Sequence, residues 1–101
     1  MSVNVELKND TNEMNIKISG RFDFSVHQEL RKATEKISSA VKRVIVDLRA
    51  TEYVDSSALG MLLVLRDKIG TDKQNVRIVN ASPEVKKILE IASFDKLFTL
   101  A

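Results

Sequence analysis

The chain contains no cysteine and a single histidine, His27, and these shortages exclude several kinds of site. Without cysteine there is no disulfide framework, no thiolate nucleophile and no zinc site with cysteine ligands. One histidine among scattered carboxylates forms no metal-ligand cluster, and no glycine-rich loop is present to hold a phosphate. We therefore expect a protein of the reducing cytoplasm that carries no metal and no cofactor.

Long apolar runs are also missing. No segment approaches the ~20 apolar residues that span a bilayer, and the N-terminus has no apolar stretch of signal-peptide length. We expect no direct insertion into a membrane.

Charge of one sign is not concentrated anywhere. The 16 basic and 14 acidic residues are interspersed, and the longest basic runs are pairs. Nucleic-acid binding needs clustered lysine and arginine, so it is not expected.

With only 3 glycines and 1 proline, 44% hydrophobic and 30% charged residues, the composition is that of a globular protein. Its length suits one domain, residues 1–101.

The spacing of apolar residues predicts four strands. Two opening segments alternate apolar with polar residues and form a hairpin: Val3–Lys8 and Glu13–Gly20. Two later segments are short and nearly continuously apolar, as in strands covered on both faces: Arg43–Leu48 and Asn75–Val79. The segment between the third strand and the next helix, "ATEY", is predicted to be a connecting loop. The final "FDKLFTL" is predicted to be a short helix or strand.

Three helices are predicted between and after these strands. The first starts with a Ser25–Gln28 capping box and continues through "SVHQELRKATEKISSAV". The second extends from Ser56 to about Ile69, with Gly70 as its stop, and the third is capped by Ser82 with proline in its first turn. The order predicts an α/β fold with a mixed, mainly parallel sheet of four to five strands, its N-terminal strand antiparallel. Functional residues should then lie in the loops "GRFDF" and "RATEYVDSS", at the carboxyl ends of strands.

The second helix has an unusual outer face. A helical projection places its core stripe on Ala58, Met61, Leu62, Leu65 and Ile69. The opposite face carries Ser56, Gly60, Leu63, Val64 and Asp67, where polar residues are normal. Either the neighbouring helix covers part of this face, or the face is a small apolar docking surface. Gly60 costs about 1 kcal/mol relative to alanine, so close approach of a partner backbone or of another helix would explain it.

The adjacent serines Ser56 and Ser57 follow Asp55 at the start of this helix. Asp55 or Ser56 could simply be the N-cap, since both residue types accept hydrogen bonds from first-turn amides. A hydrolytic serine would need a base beside it, yet His27 belongs to another helix and no G-x-S-x-G elbow surrounds the serines. We expect no enzymatic activity.

At these residues the chain resembles a known family. The block "VIVDLRATEYVDSSALGMLLVLRDK" is similar to the signature of the STAS domain of bacterial anti-sigma-factor antagonists: an apolar strand, a loop, Asp-Ser-Ser, then Leu-Gly and an apolar helix. "ISGRFDF" resembles the family's turn after the second strand, with Gly20 and Asp23 in the motif. "VRIVNASPEVKKILEIASFDKLF" resembles its closing strand and helix. One departure is Ala58, where the family usually has glycine.

The resemblance implies an interaction switch. Members are phosphorylated on the first serine after the aspartate, here Ser56, with Asp23, Asp55 and Ser57 near it. The kinase is an anti-sigma factor with a GHKL-type ATPase domain, and a PP2C-like phosphatase removes the phosphate. The unphosphorylated form binds the anti-sigma factor and frees the sigma factor. The implied partner-binding residues are Ala58, Leu59, Gly60, Leu63, Val64 and Asp67.

Two other functions remain open. The chain could be a STAS accessory subunit of a membrane transporter, although its Asp-Ser-Ser block favours a separate switch. Its output could also be non-transcriptional, such as control of biofilm formation or motility.

Overall fold

In the computed structural model, the structure describes residues 2–8, 12–38 and 40–101. The strands are β1 (Ser2–Lys8), β2 (Glu13–Phe22), β3 (Arg43–Asp47), β4 (Thr51–Val54), β5 (Val76–Val79) and β6 (Thr99–Leu100). The helices are α1 (His27–Glu35), α2 (Ser56–Ile69) and α3 (Pro83–Ile91), with short 3-10 turns at Phe24–Val26 and Phe94–Lys96. The predicted turn between β1 and β2 falls mostly on residues 9–11, outside the described residues.

The main path of the sheet has the order β1-β2-β3-β5-β6, and β4 pairs separately with β2. β1 and β2 are antiparallel, whereas the other pairs are parallel. The predicted fold class, a mainly parallel α/β sheet with an antiparallel N-terminal strand, is confirmed. The tail segment forms both alternatives that were predicted for it, a 3-10 turn and then β6. No helix within the described ranges is both long and apolar enough to cross a bilayer.

The prediction of a connecting loop at "ATEY" is wrong, because Thr51–Val54 forms β4 beside the end of β2. The register shifts between Gly20 and Arg21, where Gly20 has a φ of 80° that favours glycine. The buried Thr51 hydroxyl donates to the Ile18 carbonyl at 2.7 Å and fixes the start of β4. β2 therefore pairs with β3 along its first half and with β4 at its end.

Only one face of the sheet is buried. The core side chains of the central strands occupy alternate positions: Met14, Ile16 and Ile18 of β2, Val44 and Val46 of β3, and Val76 and Ile78 of β5. Residues between them, such as Ile45, Arg77 and Val79, are only half-buried. The expectation that β3 and β5 are covered on both faces is therefore wrong. The helices of the described chain pack on the face that these core side chains share.

The helices follow the predicted caps at two of three places. Gly70 ends α2 and donates its amide to the Arg66 carbonyl at 2.9 Å, and Ser82 caps α3 by accepting from the Val85 amide at 3.2 Å. The capping box predicted at Ser25 is wrong: α1 begins at His27, and its N-cap residue makes no side-chain cap. α1 also ends at Glu35, earlier than predicted.

Candidate functional site

The pairing of β2 with β4 brings two aspartates together at the carboxyl ends of these parallel strands. Phe22 is paired with Val54, so Asp23 and Asp55 are the next residues along each strand. The Asp55 amide extends the pairing by donating to the Phe22 carbonyl at 3.3 Å. Two loops that were predicted to carry functional residues therefore meet at one edge of the sheet.

Asp55 is the N-cap of α2. Its Oδ1 accepts from the Ala58 amide at 3.0 Å and from the Ser57 hydroxyl at 2.6 Å. The open choice between Asp55 and Ser56 as the cap is thereby decided for Asp55. Because Ser57 is half-buried and donates to Asp55, its hydroxyl is held inside the cap.

Ser56 is the first residue of α2 and has a different environment from Ser57. Its side chain is exposed. Within the part of the chain that the structure describes, the Ser56 hydroxyl makes no hydrogen bond, whereas the Ser57 hydroxyl is bound to Asp55. Of the two adjacent serines, Ser56 is the one that an approaching molecule can reach.

Asp23 has a capping role of its own. It precedes the 3-10 turn Phe24–Val26 and accepts from the Ser25 amide at 2.9 Å and from the Ser25 hydroxyl. Arg21 lies on its other side, with Nε 3.4 Å from Asp23 Oδ2. Asp23 is thus the N-cap residue at this place, where the sequence pattern predicted Ser25, and it caps the 3-10 turn that precedes α1.

Both aspartates are held in the ionised form. The hydrogen bond from the Ser57 hydroxyl, followed by that from the Ala58 amide, lowers the pKa of Asp55, although the charge of Asp23 acts in the opposite direction. The side-chain and backbone hydrogen bonds of Ser25 lower the pKa of Asp23, and Arg21 adds to this. Two fixed negative charges therefore lie at the start of α2 at neutral pH.

The outer face of α2, whose cover by the neighbouring helix the sequence left open, is largely exposed. Leu63 is 37% exposed and Val64 61% exposed, so the neighbouring helix leaves much of this face uncovered. A Cβ built on Gly60 has no neighbouring atom within 4 Å, so packing inside the chain does not require a glycine there. Of the alternatives for Gly60, close packing against another helix is excluded for the part of the chain that the structure describes.

Two predicted contact residues have other surroundings. Ala58 is completely buried in the core, so it cannot form part of a contact surface, and we remove it from the predicted partner-binding residues. For the same reason its departure from the family's glycine leaves the surface beside Ser56 unchanged. Leu59 is half-buried and packs against the core, whereas Asp67 is exposed on the outer face.

Sequence reasoning missed two exposed aromatic residues near the aspartates. Phe24 is 68% exposed and stacks on His27, with ring centroids 4.8 Å apart. Tyr53 is 42% exposed and lies under the Arg21 guanidinium, 4.5 Å from the ring centroid. The exposure of Tyr53 depends on β4, which was not predicted.

The sequence "RFDF" holds two phenylalanines that would share one face if the strand continued through both. β2 instead ends at Phe22, which is fully buried, and the chain then turns, so that Phe24 is exposed. Of the large hydrophobic residues that are exposed within the described chain, only Ile91 lies away from this edge and from α2; the others are Phe24, Tyr53, Leu63 and Val64. We call these four residues the apolar rim.

A groove of about 320 Å³ separates α1 from α2. Leu30, Met61 and Val64 contribute apolar surface to it, and His27 and Lys68 lie along it. His27 is half-buried between this groove and Phe24. The apolar rim is thus continuous with a concave surface through Val64.

Comparison with protein families gives one match over nearly the whole chain, to the STAS domain over residues 3–101. A STAS-domain-containing protein of Pseudomonas aeruginosa is 49% identical over 92 residues, which cover 91% of this chain and 91% of that protein.

Solved structures share the fold at low identity. The anti-sigma factor antagonist SpoIIAA of Bacillus matches in its unphosphorylated form with a TM-score of 0.70 and 18% identity, covering 94% of this chain and 96% of that one. Its phosphorylated form matches with a TM-score of 0.67 and 17% identity, over 99% and 91% of the two chains. A sulfate transporter family protein from Wolinella succinogenes matches with a TM-score of 0.69 and 17% identity, over 84% and 70%.

Proposed function

The chain belongs to the STAS domain family, and from this we propose that it is an anti-sigma factor antagonist switched by phosphorylation of Ser56. In the unphosphorylated state it binds an anti-sigma factor that carries a GHKL-type serine kinase domain, and a sigma factor is released. Phosphorylation of Ser56 ends the binding, and a PP2C-like phosphatase restores it. All of these steps take place in the cytoplasm.

The observation that carries this proposal is the difference between the two serines. A kinase needs a hydroxyl that can enter its active site, and Ser56 is exposed with no hydrogen bond to give up among the described residues. Phosphorylation of Ser57 would break its 2.6 Å hydrogen bond to Asp55 and disturb the cap of α2. The geometry therefore favours transfer to Ser56 over transfer to its neighbour.

The surface beside Ser56 supports a docking role. Gly60 leaves open space on the outer face of α2, and the large exposed side chains of the apolar rim lie on α2 or at the edge of the sheet that precedes it. Aromatic residues are enriched among the residues that dominate binding energy at interfaces. A partner backbone that approaches Gly60 would cover Leu63 and Val64 on the same face.

A phosphate on Ser56 would oppose this docking. It adds about −1.5 to −2 charges at pH 7, next to the ionised Asp23 and Asp55. Within the free protein the N-terminus of α2 attracts the phosphate while the aspartates repel it, so little refolding follows. On docking, the dianion would have to lose its water against the apolar rim, which is costly without a paired cation.

The test is phosphosite mapping on protein purified from its native cell, followed by binding of the purified kinase partner to Ser56→Ala and Ser56→Asp. We expect phosphate on Ser56, binding by Ser56→Ala, and at least about tenfold weaker binding by Ser56→Asp. Ser57→Ala is the matched control and should still be phosphorylated. Phosphate found only on Ser57, or equal binding by the two Ser56 variants, would contradict the proposal.

The local character of the switch can be tested separately. Both forms of Bacillus SpoIIAA match this chain over nearly their whole length, which supports a switch that keeps the fold. We expect amide chemical shifts to change on phosphorylation only around residues 53–60 and near Asp23. A displacement of α2 in the free phosphorylated protein would contradict a local block.

A transporter subunit is the second candidate, and the match to the Wolinella succinogenes sulfate transporter family protein favours it. Co-purification separates the two functions. Recovery of a GHKL-type kinase or a PP2C-like phosphatase supports the switch, whereas recovery of a membrane transporter supports the accessory subunit.

A further inference from the structure

The uncovered face of the sheet has a small cavity at the edge opposite to Ser56. Its volume is about 160 Å³, and it is lined by Arg43, Gln74, Arg77 and Thr99. This is room for several water molecules, and it is enough for a tetrahedral oxyanion.

The strand register brings the two arginines together. Ile45 of β3 is paired with Arg77 of β5, and Arg77 is paired with Thr99 of β6. Arg43 precedes Ile45 by two residues on β3 and so lies on the same face. Gln74 comes from the turn that leads into β5 and completes the cavity. Three segments distant in sequence, β3, β5 with its preceding turn, and β6, therefore bring Arg43 and Arg77 to the lining of one cavity.

The positive charge of this cavity is poorly compensated. None of the four lining residues is acidic. Arg43 approaches Glu13 only at 3.9 Å, and within the described chain Arg77 forms no ion pair. The pair of arginines thus keeps most of its charge available for a ligand.

Arg77 also has an unsatisfied donor. Its Nε is buried and has no acceptor among the described residues. Arg66 Nε is in the same situation, but the Arg66 guanidinium already donates to the Thr71 carbonyl at 3.2 Å. A buried donor without an acceptor is costly. No acceptor of the described chain therefore holds the Arg77 Nε, and no ion pair within the described chain holds its guanidinium group.

We propose that this cavity binds a phosphate group, either as free phosphate or as the terminal group of a phosphorylated small molecule. Arginine forks match phosphate oxygens with two parallel hydrogen bonds each. Two guanidinium charges balance the −1.5 to −2 charge of a phosphate group at pH 7. The side-chain amide of Gln74 offers a further donor, whereas its backbone amide already donates to Asp72 Oδ1 at 2.9 Å. The site is separate from Ser56 and does not depend on the proposed switch.

The experiment is an amide chemical-shift titration of the unphosphorylated full chain with inorganic phosphate, AMP and acetate, at constant ionic strength set by chloride. We expect saturable shifts at residues 74–77 and 99 with phosphate, and none at residues 56–58. Saturation by AMP as well assigns a phosphomonoester, whereas saturation by inorganic phosphate alone assigns the free ion. Linear shifts only, shifts confined to residues 56–58, or equal affinity for acetate would overturn the proposal.

Substitutions of the two arginines test whether they contact the phosphate. Arg77→Gln and Arg43→Gln should each weaken phosphate binding at least about tenfold, since each removes a charged hydrogen-bond donor. Arg31→Gln, which alters the exposed Arg31–Glu35 pair on α1, is the matched control and should bind as the parent does. If Arg77→Gln fails to fold, Arg43→Gln decides the question, because Arg43 is half-exposed at the start of its strand.

Glu13 gives a test in the opposite direction. Its carboxylate competes with the ligand for Arg43, so Glu13→Gln should tighten phosphate binding severalfold. Unchanged or weaker binding would contradict the role of Arg43. Ser56→Ala should bind phosphate as the parent does, so a failure of the proposed switch leaves this result unaffected.

Discussion

Replacing Gly60 by alanine separates the stability of the free protein from its binding to a partner. Gly60 lies inside α2, on the exposed face, and a Cβ built there meets no atom within 4 Å. The substitution therefore gains helix propensity without a clash, which amounts to about 0.8–1.0 kcal/mol. For a domain of this length, that corresponds to a rise in Tm of about 4–8 °C.

The same substitution should weaken binding to a partner, although it raises the stability of the free protein. If a partner backbone approaches Gly60, the added methyl group separates the two surfaces. Gly60→Ala should then bind the proposed kinase partner less tightly although it is more stable. A larger side chain, as in Gly60→Leu, should weaken binding further. Urea denaturation measures the first effect, and titration of the purified partner measures the second.

Gly70 is the matched control. Its φ of 124° is unfavourable for other residues, and a Cβ there would lie 3.0 Å from Asn75 Nδ2. Gly70→Ala should therefore lower the free energy of unfolding by about 1–3 kcal/mol. Loss of stability in Gly60→Ala would refute the assignment of Gly60 to an open helical position. Undiminished partner binding by Gly60→Leu would refute its role in docking.

Three further predictions concern the cap, the pH dependence and the two faces of α2. Asp55→Ala removes the acceptor for the Ala58 amide and should lower the free energy of unfolding by about 0.5–2 kcal/mol in urea denaturation; an unchanged midpoint would contradict the cap. Because the pKa values of Asp23 and Asp55 are lowered in the folded state, their stabilisation is present above the ordinary value of 3.8 and is lost as the pH falls through the folded values. In the variant with asparagine at both positions, the free energy of unfolding should therefore fall less steeply as the pH is lowered than in the parent. An equal slope of this free energy against pH would refute the lowered pKa values. Leu62→Ala should cost about 2–5 kcal/mol of stability because Leu62 is fully buried; Leu63→Ala should cost much less but weaken partner binding, and the reverse order would contradict the assigned faces.

Patterns of short range predicted α2, α3 and the positions of the central strands well, whereas the start and the end of α1 were predicted wrongly. The apolar stripe of α2, its stop at Gly70 and the Ser82 cap of α3 depend on residues within one or two turns, and the structure agrees at each. The position of Ser56 on the outer face follows from the same helical period.

Features that depend on distant segments were not predictable in this way. β4 has buried ends and exposed middle residues, so it shows no period-two pattern, and it is a strand only because β2 extends past Gly20 to meet it. The approach of Asp23 to Asp55 was inferred from family resemblance, and its physical cause is this same pairing. The open face of the sheet was missed because "RVIVD" has an apolar residue, Ile45, on the side that no helix covers.

The division of β2 between two neighbours has a consequence for the order of folding. β3 needs only the first half of β2, whereas β4 needs its last three residues, Gly20–Phe22, so both depend on one strand being in place. β4 is too short to persist alone, and the start of α2 follows it directly. We expect the amides of Thr51–Val54 to gain protection from hydrogen exchange late in refolding, after those of β2 and β3. On that order, Ser56 takes up its position only once the sheet behind it is complete. Under the proposed switch, a partly folded chain would therefore be a poor kinase substrate.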